Sequence, residues 1–214
     1  MKLRTIKYSS YEQELPQSGQ HIIGQLRNEN IIVYQAFNPN ITKWAIENQK
    51  FGGSFYKFSR MSWIKPNFLW MMYRAGWAMK EHQQNILAIE ISKTNFEILL
   101  KEAVHSTYIE EIYGTREKWK SQLEKSQVRL QWDPDHNPTG EKLERRAIQI
   151  GIKGELLERF GIDWIVSIED ITEFVHKQKL ILDSGEMENF SVIEEEKISI
   201  QNKELIHKLQ ISQK

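Results

Sequence analysis

Arg60-Met-Ser-Trp-Ile-Lys-Pro-Asn-Phe-Leu-Trp-Met-Met-Tyr-Arg-Ala-Gly-Trp77 holds three of the seven tryptophans, Trp63, Trp70 and Trp77, spaced seven residues apart. Seven residues are two helical turns. Pro66 suits the first turn of a helix, where its missing N–H costs nothing. From Asn67 to about Arg74, Phe68, Leu69, Met71 and Met72 leave little polar face. A helix apolar on nearly all sides is normally buried, so a core helix is predicted, ended by Ala75-Gly76. Arg60, Lys65, Tyr73 and Arg74 are interleaved with this apolar bulk. A cation in such surroundings must be paired or aimed at a ligand. Lys65, at the expected mouth of the helix, suits an anion, because free N–H groups and the dipole favour one there. Arg74 has a second option, an ion pair with Glu90 or Glu169.

On the N-terminal side, His21-Ile-Ile-Gly-Gln-Leu26 and Ile31-Ile-Val-Tyr-Gln-Ala-Phe37 read as two strands of a hairpin around Arg27-Asn-Glu-Asn30. The second is nearly continuous in apolar residues, as a strand buried on both faces should be. Asn38-Pro-Asn40 breaks it and caps a helix from Ile41 to about Gln49, which Phe51-Gly-Gly-Ser54 ends with positive φ. On the C-terminal side, strands are predicted at Asn85–Ile91, Gln127–Trp132, Arg146–Ile152 and Trp164–Ile168. Helices are predicted from Lys93 to His105, Arg116 to Glu124 and Lys153 to Phe160, with Trp119 anchoring the second. Asp133-Pro-Asp-His-Asn-Pro138 is a dense turn signal and should stop the strand before it. Strands and helices mix without a βαβ period, so the fold class is α+β, a single domain with a mixed or mainly antiparallel sheet and packed helices. Residues 1–20 read as an irregular arm, 21–179 as the domain, and 180–214 as a charged, peripheral tail.

Lysine plus arginine equals aspartate plus glutamate, 29 of each, so no general attraction for nucleic acid follows from net charge. With no cysteine, disulfides, thiolate chemistry and cysteine-held zinc are excluded. The first residues lack the apolar core of a signal peptide, and no run is long enough to span a membrane. A cytoplasmic protein is the plain expectation; oligomeric state is left open.

Candidate chemistry is sparse. Asp133, Asp135 and His136 lie close in sequence, but Asp-Pro-Asp is an ordinary turn former, and no metal is expected. Asp133, beside Trp132 at a strand end, is better read as a site carboxylate, and Gln149 is a further candidate on its own alternating strand. Glu169 and Asp170 end the last strand, where a carboxylate is either a catalytic group or a cap. No nucleophile elbow, P-loop or dinucleotide glycine fingerprint is present.

The blocks Ile32-Val-Tyr-Gln-Ala-Phe37, Arg60–Arg74, Val128-Arg-Leu-Gln-Trp-Asp-Pro134, Arg146-Ala-Ile-Gln-Ile-Gly151 and Trp164-Ile-Val-Ser-Ile-Glu-Asp-Ile-Thr172 resemble, in this order, the domain of unknown function 4291 family, over roughly residues 20–178. That family implies no chemistry. Val33-Tyr-Gln-Ala-Phe37, a short helix and Asn48-Gln-Lys-Phe-Gly-Gly53 are also similar to the opening of ADP-ribosyltransferase-like folds. This second resemblance implies NAD as substrate, with Tyr34 and Gln35 holding the dinucleotide, Arg60 and Lys65 its pyrophosphate, and Glu169 at the ribose as the catalytic group. Gln35 stands where that family has His or Arg. The rival expectation is a non-enzymatic RNA- or DNA-binding module, stacking bases on Trp63, Trp77 and Trp132 and holding phosphates with Arg60, Lys65 and Arg74.

Overall fold

The computed structural model describes residues 3–213. In chain order these form β1 (Thr5–Lys7), α1 (Tyr8–Glu14), β2 (Gly19–Gln20), β3 (Ile23–Gly24), β4 (Leu26–Arg27), β5 (Asn30–Phe37), α2 (Pro39–Asn48), β6 (Ser62–Ile64) and α3 (Phe68–Ala75). Then come β7 (Asn85–Ser92), α4 (Lys93–Glu102), β8 (Ala103–His105), α5 (Glu110–Tyr113), α6 (Arg116–Lys125), β9 (Val128–His136) and β10 (Lys142–Ile152). The last are α7 (Gly154–Ile162), β11 (Ile165–Asp170), α8 (Thr172–Ser184), β12 (Ser191–Ile193), β13 (Glu196–Lys197) and α9 (Lys203–Leu209). The class is α+β, in one domain. Among the described residues no helix is long and apolar enough to cross a membrane.

Two sheets carry the architecture. One has the order β11-β7-β5-β4 and is antiparallel throughout. The other has the order β2-β10-β9-β8, with β6 also paired to β10. They meet where Tyr34 of β5 and Lys65, just past β6, exchange backbone hydrogen bonds of 2.7 and 3.2 Å. Lys65 therefore lies on the seam between the sheets. β5 is buried on both faces, as its unbroken apolar run predicts: Ile31 and Val33 enter one core, Ile32 and Tyr34 the other.

The first core fills the space between the sheets, with Leu157 and Phe160 of α7 and Leu205 and Leu209 of α9. The second lies under the opposite face of β5 and β7 and takes in most of α3, so the predicted core helix is one. Its start differs from expectation. Asn67 is the cap, accepting from the Trp70 N–H at 2.7 Å, and Pro66 stands outside the helix. The N–H of Phe68 donates to Glu195 Oε1 at 2.7 Å. That carboxyl fills the helix mouth, so Lys65 owes nothing to it.

Both chain ends belong to the fold. Tyr11 and Leu15 from the N-terminal arm and Phe190, Val192 and Ile193 from the tail are buried in the second core, while β1 pairs with β12. Buried aromatic and aliphatic side chains each contribute about 1.5–3 kcal/mol, so neither end is an appendage. Tyr11 donates to Glu195 at 2.7 Å, tying the two ends together across the interior. The charged residues of the tail hide this, because its apolar residues are spaced for short strands and a helix of two turns. Two local expectations also change. The exit of α2 takes its left-handed residue from Gln49 (φ 53°), while Gly52 and Gly53 (φ 73°) leave room for the Trp44 ring, which a Cβ would meet at 2.6 and 2.8 Å. β9 runs straight through Asp133-Pro-Asp135 to His136, and the turn comes after it.

Candidate functional site

A cleft of about 620 Å³ opens at the seam between the sheets, within the range of small-molecule sites. Gln35, Arg60, Trp63, Lys65 and Arg74 line it, together with Tyr56 and Met71. Five of the residues singled out from sequence thus converge. β5 contributes Gln35 on the face away from Tyr34. β6 and its continuation contribute Trp63 and Lys65, which alternate with the core residue Ile64. α3 presents Met71 and Arg74, one turn apart.

Gln35 is 2% exposed and braces the seam: its amide donates to Ser62 Oγ at 2.6 Å and to the Trp63 carbonyl at 3.2 Å. Its Oε1 has no partner. Trp63 lies over Gly151 of β10, where a Cβ would come within 2.9 Å of the indole, so the glycine is what lets the ring sit flat on the sheet.

Lys65 is 5% exposed. Among the described residues no carboxylate lies within ion-pair distance of it, of Arg60 or of Arg74. Burial, then the neighbouring Arg74 guanidinium, bring the Lys65 ammonium from its ordinary range down to about 8, against a smaller opposing pull from Asp133. The option of pairing Arg74 with Glu90 is closed, because Glu90 is held by Arg27 at 3.2 Å, Asn30 at 2.8 Å and Ser167 at 2.9 Å.

The remaining candidates fall elsewhere. Tyr34 is fully buried on the opposite face of β5, and its hydroxyl has no partner. Burial, with Glu195 nearby, holds that hydroxyl well above the usual tyrosine range. Glu169 pairs in register with Ala88, which pairs with Tyr34. It is therefore two strands, roughly 10 Å, from β5 and on the face that Gln35 does not use. The expected meeting of Glu169 with Gln35 in one cleft does not occur. Distance across the sheet decides this: Lys65, bridged to Tyr34, shares the face of Glu169 and reaches the cleft, while Glu169, two strands beyond β5, does not line it.

Trp77 and Trp132 are 7% and 9% exposed and belong to the two cores, with Trp132 Nε1 donating to the Leu209 carbonyl at 2.9 Å. Tyr73 is 40% exposed and stacks on His136 with centroids 3.5 Å apart, beside a smaller hollow of about 260 Å³ formed with Asn137 to Gly140. Asp133 accepts from Gln131 at 2.9 Å and from Gln149 at 2.7 Å on the outward face of β9 and β10. Asp135 instead turns inward to Arg145 at 2.6 Å, and Arg145 also grips Glu12 at 2.6 and 3.2 Å. Among the described residues no group of His, Asp and Glu could hold a metal ion.

Ser62, Tyr56 and Met71 are cleft residues that the sequence did not mark. Ser62 and Met71 carry a signal only once Lys65 and Arg74 are accepted, being three residues from each.

The family model for the Domain of unknown function (DUF4291) matches residues 21–198, and the chain belongs to that family. The match runs on into β12 and β13, in agreement with their place in the fold. No curated protein matches the chain.

Proposed function

We propose that the cleft binds the phosphates of a nucleotide, with the dinucleotide NAD as the ligand to test first. The observation that carries this reading is Lys65, 5% exposed, facing the cleft and without a carboxylate partner. A buried cation left unpaired by its own protein is costly, and a bound anion compensates it. Arg60 and Arg74 add two exposed guanidiniums suited to bidentate phosphate contacts. The free Oε1 of Gln35 can accept from a ribose hydroxyl, and the part-exposed Trp63 offers ring surface to a base.

If the chain carries out ADP-ribosyl transfer to a nucleic acid or protein, its carboxylate must come from the cleft side of the sheets. Asp133, whose charge reaches Lys65, suits that role better than Glu169. A single-strand binding module is less well supported, since two of its three stacking rings are core residues.

Calorimetric titration with NAD and with inorganic pyrophosphate tests the reading. Both should bind the wild type. Lys65→Met and Arg74→Met should each weaken binding about tenfold or more, the cost of one charge-assisted hydrogen bond. Glu169→Gln should bind as the wild type does. Folded protein that gives no heat with either ligand at about millimolar concentration would sink the proposal.

A further inference from the structure

The cleft contains two kinds of cation. Arg60 and Arg74 are exposed, and a guanidinium stays charged at any ordinary pH. They supply the part of the cleft's positive charge that does not vary with pH. Lys65 is placed differently. It is buried, 5% exposed, in the wall that Trp63 and the α3 residue Met71 also line, and its backbone N–H and carbonyl are both bonded to Tyr34. Among the described residues its side chain donates no hydrogen bond to a protein acceptor, and its ammonium is brought down to about 8 by burial and by Arg74. An amine so placed is, at neutral pH, free base on the order of a hundredfold more often than a solvent lysine. A lysine desolvated beside another cation is the usual way to make that side chain a nucleophile.

From this geometry we propose that Lys65 condenses with the carbonyl carbon of a phosphorylated sugar in its open-chain form, giving a protein-bound imine. The inference rests on the reading of the cleft as a phosphate site. Arg60 and Arg74 hold the phosphate, and the reducing end of the sugar reaches Nζ. The nitrogen lone pair attacks the carbonyl carbon, and the carbonyl π electrons move to oxygen. A proton passes from nitrogen to that oxygen, giving a carbinolamine. The C–O bond then breaks as the nitrogen gives up its second proton and its electron pair forms C=N, and the oxygen leaves with both protons as water. No electrons are gained or lost. NAD, whose riboses are both locked as glycosides, can occupy the cleft but has no free aldehyde to offer.

The test uses the wild-type chain with ribose 5-phosphate or ribose as probe, sodium cyanoborohydride to reduce any imine to a stable amine, and peptide mapping by mass spectrometry. Lys65 should be labelled roughly tenfold faster than other lysines. Ribose 5-phosphate should label it faster than ribose, and NAD should suppress the labelling. Lys65→Arg should abolish the fast adduct. Labelling spread over surface lysines with Lys65 not first would overturn the proposal, as would equal rates with ribose and ribose 5-phosphate. Binding of pyrophosphate or NAD by calorimetry without an adduct at Lys65 overturns the imine and leaves the phosphate site standing. Absence of both overturns the two together.

Discussion

Lys65→Met tests the physical basis of the site without knowledge of its ligand. In the fold the Lys65 ammonium is brought from 10.5 to about 8, chiefly by burial. In the unfolded chain it keeps its ordinary value. The folded protein therefore binds the proton less tightly, and below pH 8 the charged lysine lowers stability by about 3 kcal/mol. Between about 8 and 10.5 the unfolded chain holds a proton that the folded chain has released, so the contribution of this group to stability rises with pH across that window. Methionine fills a similar volume without charge. At pH 7 the variant should be more stable by about 2–3 kcal/mol, or roughly 5–10 °C in Tm for a domain of this size. At pH 10 the difference should shrink towards zero. Thermal unfolding followed by circular dichroism at the two pH values reads both numbers. Pyrophosphate should raise the Tm of the wild type and leave that of the variant nearly unmoved, since a ligand stabilises only the state that binds it. A variant no more stable than the wild type at pH 7 would refute the account of Lys65 as an uncompensated buried charge.

The same logic runs in the opposite direction for Glu195. Burial raises its carboxyl to about 8, so between 4.5 and about 8 the folded chain keeps a proton that the unfolded chain has lost, and stability falls as pH rises through that window. Glu195→Gln keeps an acceptor for the Phe68 N–H, and its unfolding free energy in urea should show a flatter slope from pH 5 to 8. Arg145→Met strips the partner from Asp135, whose side chain is 1% exposed, and from Glu12. It should cost about 3–5 kcal/mol by urea unfolding at pH 7, with part recovered when Asp135→Asn is added.

Where the side-chain pattern alone dictates the outcome, the elements were readable. The apolar run of β5 has to be a strand covered on both faces, and the Phe68–Met72 segment has no polar side to show to water. The hairpin, too, follows from local chemistry: Asn28 takes a positive φ of 53° between Arg27 and Asn30, which pair directly. Failures came where a local preference was outvoted. Asp-Pro-Asp breaks most strands, yet in β9 the inward Asp135 gains Arg145 and the outward Asp133 gains two glutamines. The tail looked solvated because its charges outnumber its apolar residues. Its buried Glu195 is satisfied by Tyr11, nearly the whole chain away, and no window of sequence could show that pair.

The site divides along the same line. Arg60, Lys65 and Arg74 could be gathered from sequence because they flank one apolar segment, and a chain that places cations there must either pair them or use them. Glu169 could not be judged in this way. Its place depends on the order of β5, β7 and β11, which sets it two strands away from β5, and strand order is not written in any one segment. Lys65, likewise, is placed by the seam and not by a helix mouth. A helix mouth would have made it one more cation beside free N–H groups, but Glu195 occupies that mouth. On the seam between two sheets Lys65 has no such neighbours, and its charge is opposed by burial and by Arg74 alike. If the proposed phosphate site is what keeps the residue there, its stability cost and its ligand binding should vanish in the same variant, Lys65→Met.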